Sequence, residues 1–82
     1  MRQVEVIRSY KDKAQLPVKG FAEACNAVLP RGLGYSIAAY QSWTYGRNPF
    51  PFTLAAYLAA NGEGWVREFG EDMVVALQDG AE

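Results

Sequence analysis

The chain has no histidine and a single cysteine, Cys25. That excludes zinc sites of the Cys/His type, which draw several ligands from those two residues. It also excludes the Ser-His and Cys-His forms of an activated nucleophile. One thiol cannot close a disulfide within the chain, which suits a reducing compartment. No apolar run approaches the roughly 18 residues that a membrane-spanning helix needs, so no membrane partner is expected. The opening residues Met1-Arg2-Gln3-Val4-Glu5 lack the apolar stretch of a secretory leader, and a cytoplasmic location is expected. Gly32-Leu33-Gly34 lacks the spacing of a dinucleotide fingerprint, and no phosphate-cradling loop of the P-loop type occurs. Carboxylate acid–base chemistry stays formally open, but the acidic residues are scattered or share one outward helix face. The composition therefore argues against an enzyme, and no metal or cofactor is expected.

What is present is enough apolar material for one core. Half of the 82 residues are hydrophobic, which predicts a single domain over 1–82 of modest stability. The net charge of −1 hides a division. Residues 1–47 carry seven basic and three acidic side chains, net +4, and residues 48–82 carry one basic and six acidic, net −5. Such a split marks either a basic contact face with an acidic back or a solvated surface of uneven sign.

Apolar spacing predicts five helices. Val4, Ile7, Tyr10 and Ala14 place the first from Val4 to Ala14, with a strand from Gln3 to Tyr10 as the competing reading. Leu16-Pro17 breaks it. The second is expected from about Pro17 to Leu29, with Phe21, Ala22, Cys25, Val28 and Leu29 on one face. Pro30-Arg31-Gly32-Leu33-Gly34 ends it. The third is expected from Tyr35 to Tyr45, with Ser36 as N-cap, Tyr40 and Trp43 inward, and Gly46 as a left-handed C-terminal cap. The fourth runs from Pro51 or Phe52 to about Ala60, with Leu54, Tyr57 and Leu58 apolar. The last, Trp65 to Gln78, repeats Trp65, Phe69, Met73 and Leu77 every four residues and shows Glu68, Glu71 and Asp72 outward, with Asp79 just beyond. Its apolar stripe serves either the chain's own core or a dimer. Tyr35, Tyr45, Phe50 and Phe52, around the extended linker Asn48-Pro49-Phe50-Pro51, form either an exposed apolar patch or a cover between helices three and four.

The order of these segments resembles the Cro/repressor-like (Xre-type) helix-turn-helix domain. Ile7-Arg8-Ser9-Tyr10-Lys11 followed by Leu16-Pro17-Val18-Lys19-Gly20-Phe21-Ala22 is similar to that family's first helix and second-helix entry. Gly34-Tyr35-Ser36-Ile37-Ala38-Ala39-Tyr40-Gln41-Ser42-Trp43-Thr44-Tyr45-Gly46-Arg47-Asn48-Pro49 is similar to its recognition helix and exit, and Leu54, Tyr57 and Leu58 continue it. The likeness covers about residues 4–60. It departs in roughly eight extra residues between Ala22 and Gly34, and in Thr44 where the family has glutamate.

The resemblance implies an all-α, five-helix, lambda-repressor-like fold and a DNA-binding transcription regulator, bacterial or phage, of repressor type. Its partner would be double-stranded DNA, bound as a homodimer with the helix at 35–45 in the major groove. Base contacts would come from Ser36, Ile37, Ala38 and Gln41. Phosphate contacts would come from Lys19, Arg31 and Arg47, with Lys11 or Lys13 in support and the Ser42 and Tyr45 hydroxyls assisting. Arg47 is otherwise a cation complementing the end of helix three, and Arg31 a solvated loop arginine. The second reading is a protein-interaction module that keeps the fold without using DNA.

Overall fold

Val6, Ile7 and Tyr10 fall on one side of a helix but on both sides of a strand, and the helix wins because a single face can then be buried. In the computed structural model, which describes residues 3–79, α1 (Gln3–Lys13) buries these three side chains. It ends in a Schellman turn. The Leu16 amide donates to the Lys11 carbonyl and the Gln15 amide to the Asp12 carbonyl, both at 3.0 Å. Gln15 occupies the left-handed position, φ 57°, that glycine usually fills.

Pro17, extended at φ −70°, precedes α2 (Val18–Asn26), which buries Phe21, Ala22 and Cys25. The expected end at Leu29 is corrected to Asn26. Beyond it the Val28 and Leu29 amides reach back only three residues, to Cys25 and Asn26, at 3.1 and 3.0 Å. Pro30 keeps Leu29 from continuing the helix. Val28 and Leu29 still pack, half-buried, on the core.

α3 (Ile37–Thr44) is shorter than the expected span of 35–45. Ser36 is its N-cap, with Oγ accepting from the Ala39 amide at 3.1 Å. Gly46, φ 77°, closes it, with Gly46 N on the Trp43 carbonyl at 3.2 Å and Arg47 N on the Ser42 carbonyl at 2.8 Å. α4 (Phe52–Asn61) runs one residue past Ala60, and α5 (Trp65–Gln78) keeps the expected limits. All five elements are helical, with no strand among the described residues. Residues 1, 2 and 80–82 of the expected 1–82 domain lie outside the described residues.

One core joins the helices, and aromatic rings hold its centre. Phe69 of α5 meets Tyr10, Phe21 and Phe50 edge-on, at centroid separations of 5.7, 5.1 and 5.5 Å. Such pairs contribute about 0.5–1.5 kcal/mol each beyond the area they bury. Trp65 stacks on Phe21, and Phe50 extends the cluster to Trp43. Met73 is fully buried and Leu77 packs at the edge, so the α5 stripe serves the chain's own core. Phe50 is buried too, its ring meeting Trp43 of α3 and Phe69 of α5, whereas Phe52 is exposed.

α5 packs on α4 and α1, while α3 packs on α1 and α2. At Gly70 the α4 backbone comes so close that a Cβ would sit 2.4 Å from the Ala59 nitrogen. α1 is tied to α5 by the Tyr10 hydroxyl, which donates to Asp72 at 2.5 Å, and to the linker by Gln3, whose side-chain oxygen accepts from the Phe50 amide at 2.8 Å.

Candidate nucleic-acid interface

Eight residues make two turns, too few for a helix to hold without tertiary packing. α3 is anchored by its inward side. Tyr40, Trp43 and Thr44 are buried, with the Tyr40 and Trp43 rings 4.8 Å apart. The Thr44 hydroxyl donates to the Tyr40 carbonyl at 2.8 Å. That leaves Ile37, Ala38 and Gln41 exposed, with Ser36 before them and Tyr45 after. Arg47 extends past the end of α3 and lies over the Tyr45 ring, 5.8 Å from its centroid. Ser36, Ile37, Ala38, Gln41, Tyr45 and Arg47 are thus gathered along one short exposed element.

Ser42 is the exception. It is half-buried and its Oγ donates to the Ala39 carbonyl at 2.7 Å, so the expected assistance to a phosphate loses its donor. Lys19 and Arg31 are exposed on α2 and on the α2–α3 connection. Among the described residues their side chains make no hydrogen bond or ion pair, so both are free for an anion. Lys11 is instead engaged with Asp12 at 3.6 Å, and Lys13 lies over the Tyr10 ring.

The electrostatics are one-sided. From Ala24 to Gly62 the chain has no aspartate or glutamate, and its only charged residues are Arg31 and Arg47. The carboxylates concentrate on α5, where Glu68, Glu71 and Asp72 are exposed. α1 packs on both that helix and α3 and carries charges of both signs, with Glu5 and Asp12 exposed beside Arg8 and Lys13.

The extra residues between Ala22 and Gly34 lie mostly in the connection, which spans residues 27–36. It does not hang loose. The Asn26 side chain donates from Nδ2 to the Tyr35 carbonyl at 2.7 Å, and its Oδ1 accepts from the Tyr35 amide at 3.0 Å. The Tyr40 hydroxyl adds a third bond to Oδ1 at 2.9 Å. Burial pushes the Tyr40 hydroxyl far above its ordinary range, with the neighbouring Cys25 and Tyr35 adding to the effect, so it stays a neutral donor. Tyr35 also places its ring edge-on against Trp43 at 5.2 Å.

Sequence reasoning missed Asn26. A polar residue near the end of an apolar helix is a weak signal, and its partner lies nine positions on, beyond any local pattern.

Between this connection and α4 lies an open apolar groove of about 230 Å³, lined by Leu29, Pro30, Leu33 and Tyr35 on one side and Thr53, Leu54 and Tyr57 on the other. Leu33 is 62% exposed at its edge. Of the four aromatics near the linker, Tyr35, Tyr45 and Phe52 are exposed.

No cluster of three or more cysteine, aspartate or glutamate side chains that could hold a metal occurs among the described residues. The Cys25 thiol is buried and pushed up to about 12 by desolvation, which leaves it a small core hydrophobe. No described helix is long and apolar enough to cross a membrane. Compared with protein-family models, curated proteins and solved structures, the chain matches none.

Proposed function

We propose that the chain is a DNA-binding domain of a repressor-like regulator, with α3 presented to the major groove of double-stranded DNA. The observation that carries this reading is the stretch from Ala24 to Gly62, which exposes one face of α3 and contains two arginines and no carboxylate. Gln41 offers the amide pair that reads adenine, Ser36 a hydroxyl, and Ile37 and Ala38 apolar contact to a thymine methyl. Arg47, Arg31 and Lys19 supply phosphate contacts, which give affinity and register. Two copies on a two-fold symmetric site would add the area that one short helix lacks.

The test is binding to pooled duplex DNA across a salt series. Three phosphate contacts give a log–log salt slope of about −3 per copy, and Arg47→Ala lowers it by about 1. Gln41→Ala leaves the slope unchanged and costs about 1–3 kcal/mol of discrimination at one base pair. A folded chain that binds no duplex at low salt refutes the proposal.

A second reading, a protein-interaction module, is favoured by the groove between the connection and α4 and by exposed Leu33, Tyr35 and Phe52 beside it. It predicts one stable protein partner, no retention on heparin, and loss of that partner with Leu33→Ser.

A further inference from the structure

The α2–α3 connection is far longer than the turn of three or four residues that joins the helices of an ordinary helix-turn-helix. A free segment of that length would let α3 take many orientations on α2. The chain instead closes it at its far end. Asn26, the last residue of α2, pairs both its amide groups with the backbone N–H and C=O of Tyr35, the residue before the α3 cap. The geometry is that of a strand partner supplied by a side chain, and only an amide offers a donor and an acceptor so spaced.

Three further contacts fix the same point. The Tyr40 hydroxyl, from the second turn of α3, binds the same Oδ1. The Tyr35 ring rests on Trp43. Gly34 passes so near that a Cβ there would lie 3.1 Å from Asn26 Cγ. Asn26 therefore touches the connection, the entry to α3 and the body of α3 at once.

We propose that Asn26 is a positioning residue for recognition: it holds the start of α3 at a fixed place on α2 and so determines which bases α3 meets. This inference rests on the DNA-binding reading above. The role is separable from phosphate binding, because Lys19, Arg31 and Arg47 make no hydrogen bond to Asn26. It predicts a loss of sequence discrimination without a loss of electrostatic affinity. Asn26→Asp is the sharpest variant. The carboxylate keeps the size of the amide and still accepts from the Tyr35 amide and the Tyr40 hydroxyl, but it sets an anionic oxygen against the Tyr35 carbonyl where Nδ2 donated. Gly34→Ala disturbs the same junction from the other side and leaves the amide intact. Tyr40→Phe is the control, removing the third bond while the Tyr35 pairing stays.

The experiment first selects a preferred duplex from a random pool with the unmodified chain, then measures affinity for that duplex and a scrambled one across salt. Amide hydrogen exchange at Tyr35 is followed in parallel, and circular dichroism verifies that each variant is folded. The expected result for Asn26→Asp and Gly34→Ala is a roughly tenfold smaller ratio of specific to scrambled affinity and faster exchange at Tyr35, with scrambled-duplex binding unchanged in Gly34→Ala and lowered at low salt in Asn26→Asp by its added carboxylate. Tyr40→Phe should retain most of the ratio. If the unmodified chain selects no sequence, the DNA reading falls and this inference falls with it. If it selects one and both variants keep the ratio, the inference alone is overturned. Equal loss on both duplexes in Gly34→Ala, which adds no charge, also overturns it, since that is the mark of general destabilisation. If Asn26→Asp does not fold, Gly34→Ala decides.

Discussion

Gln15 shows how one residue can be at odds with its backbone. It holds the left-handed position that ends α1, with φ 57°, where a side chain crowds the following carbonyl. Glycine meets no such crowding, so Gln15→Gly should stabilise the fold by about 1 kcal/mol, seen as a higher urea midpoint with an unchanged slope. Three other residues, Cys25, Tyr10 and Tyr40, set the alkaline limit, Tyr40 being pushed up furthest by burial. Cys25 is raised from 9.0 to about 12 by burial, and Tyr10 from 10.0 to about 12 by burial first and then by its bond to Asp72. In all three, the folded chain keeps a proton that the unfolded chain has released. The stability they contribute is therefore complete below the unfolded values and is lost as pH rises through the window from about 9 to about 12. Unfolding free energy should stay level to about pH 8.5 and then fall. In Cys25→Ala the fall should begin about one pH unit later, and an onset that does not move would show that the thiol takes no part.

At the scale of elements, α3 and the α4–α5 pair depend on single small residues. Ser36 accepts from the Ala39 amide, so Ser36→Ala should cost about 1 kcal/mol and lower the midpoint of thermal unfolding by about 4–8 °C. Ser36→Asp should restore the cap yet weaken duplex binding at low salt, because it sets a carboxylate in the acid-free stretch. The opposite behaviour belongs to Gly70. An alanine there gains roughly 1 kcal/mol of helix propensity. Its Cβ would nevertheless fall 2.4 Å from Ala59 N and 2.8 Å from Leu58 C, and backbone cannot step aside as a side-chain tip can. Gly70→Ala should therefore destabilise by about 2 kcal/mol net, measured by urea unfolding.

At the scale of the whole molecule, carboxylates gather on α5 while the stretch from Ala24 to Gly62 carries two arginines and no carboxylate. The molecule measures 33 × 23 × 23 Å, against a Debye length of about 8 Å in 0.15 M salt and about 30 Å in 0.01 M. The carboxylates of α5 should thus oppose DNA only in dilute salt. Joint Glu68→Gln and Glu71→Gln replacement should raise duplex affinity about two- to fivefold at 0.01 M and leave it unchanged at 0.15 M. A gain that persists at 0.15 M would place those carboxylates in contact with the duplex.

The sequence by itself determined the helices and most of the core. Phe21, Cys25, Tyr40, Trp43, Phe69 and Met73 were legible as inward because helical period and burial follow the same 3.6-residue repeat. The caps at Ser36 and Gly46 were legible too, because capping is a matter of local backbone geometry. The candidate interface was only partly so. The resemblance named Ile37, Ala38, Gln41 and Tyr45, and all four are exposed, but the reach of Ser42 was not legible, since its hydroxyl turned to a carbonyl three residues back. Only the tertiary structure decided that Gly70 is a contact point and that Asn26 grips Tyr35 across the connection. Each of these depends on partners distant in the chain or on backbone meeting backbone, and neither leaves a periodic trace for the sequence to show.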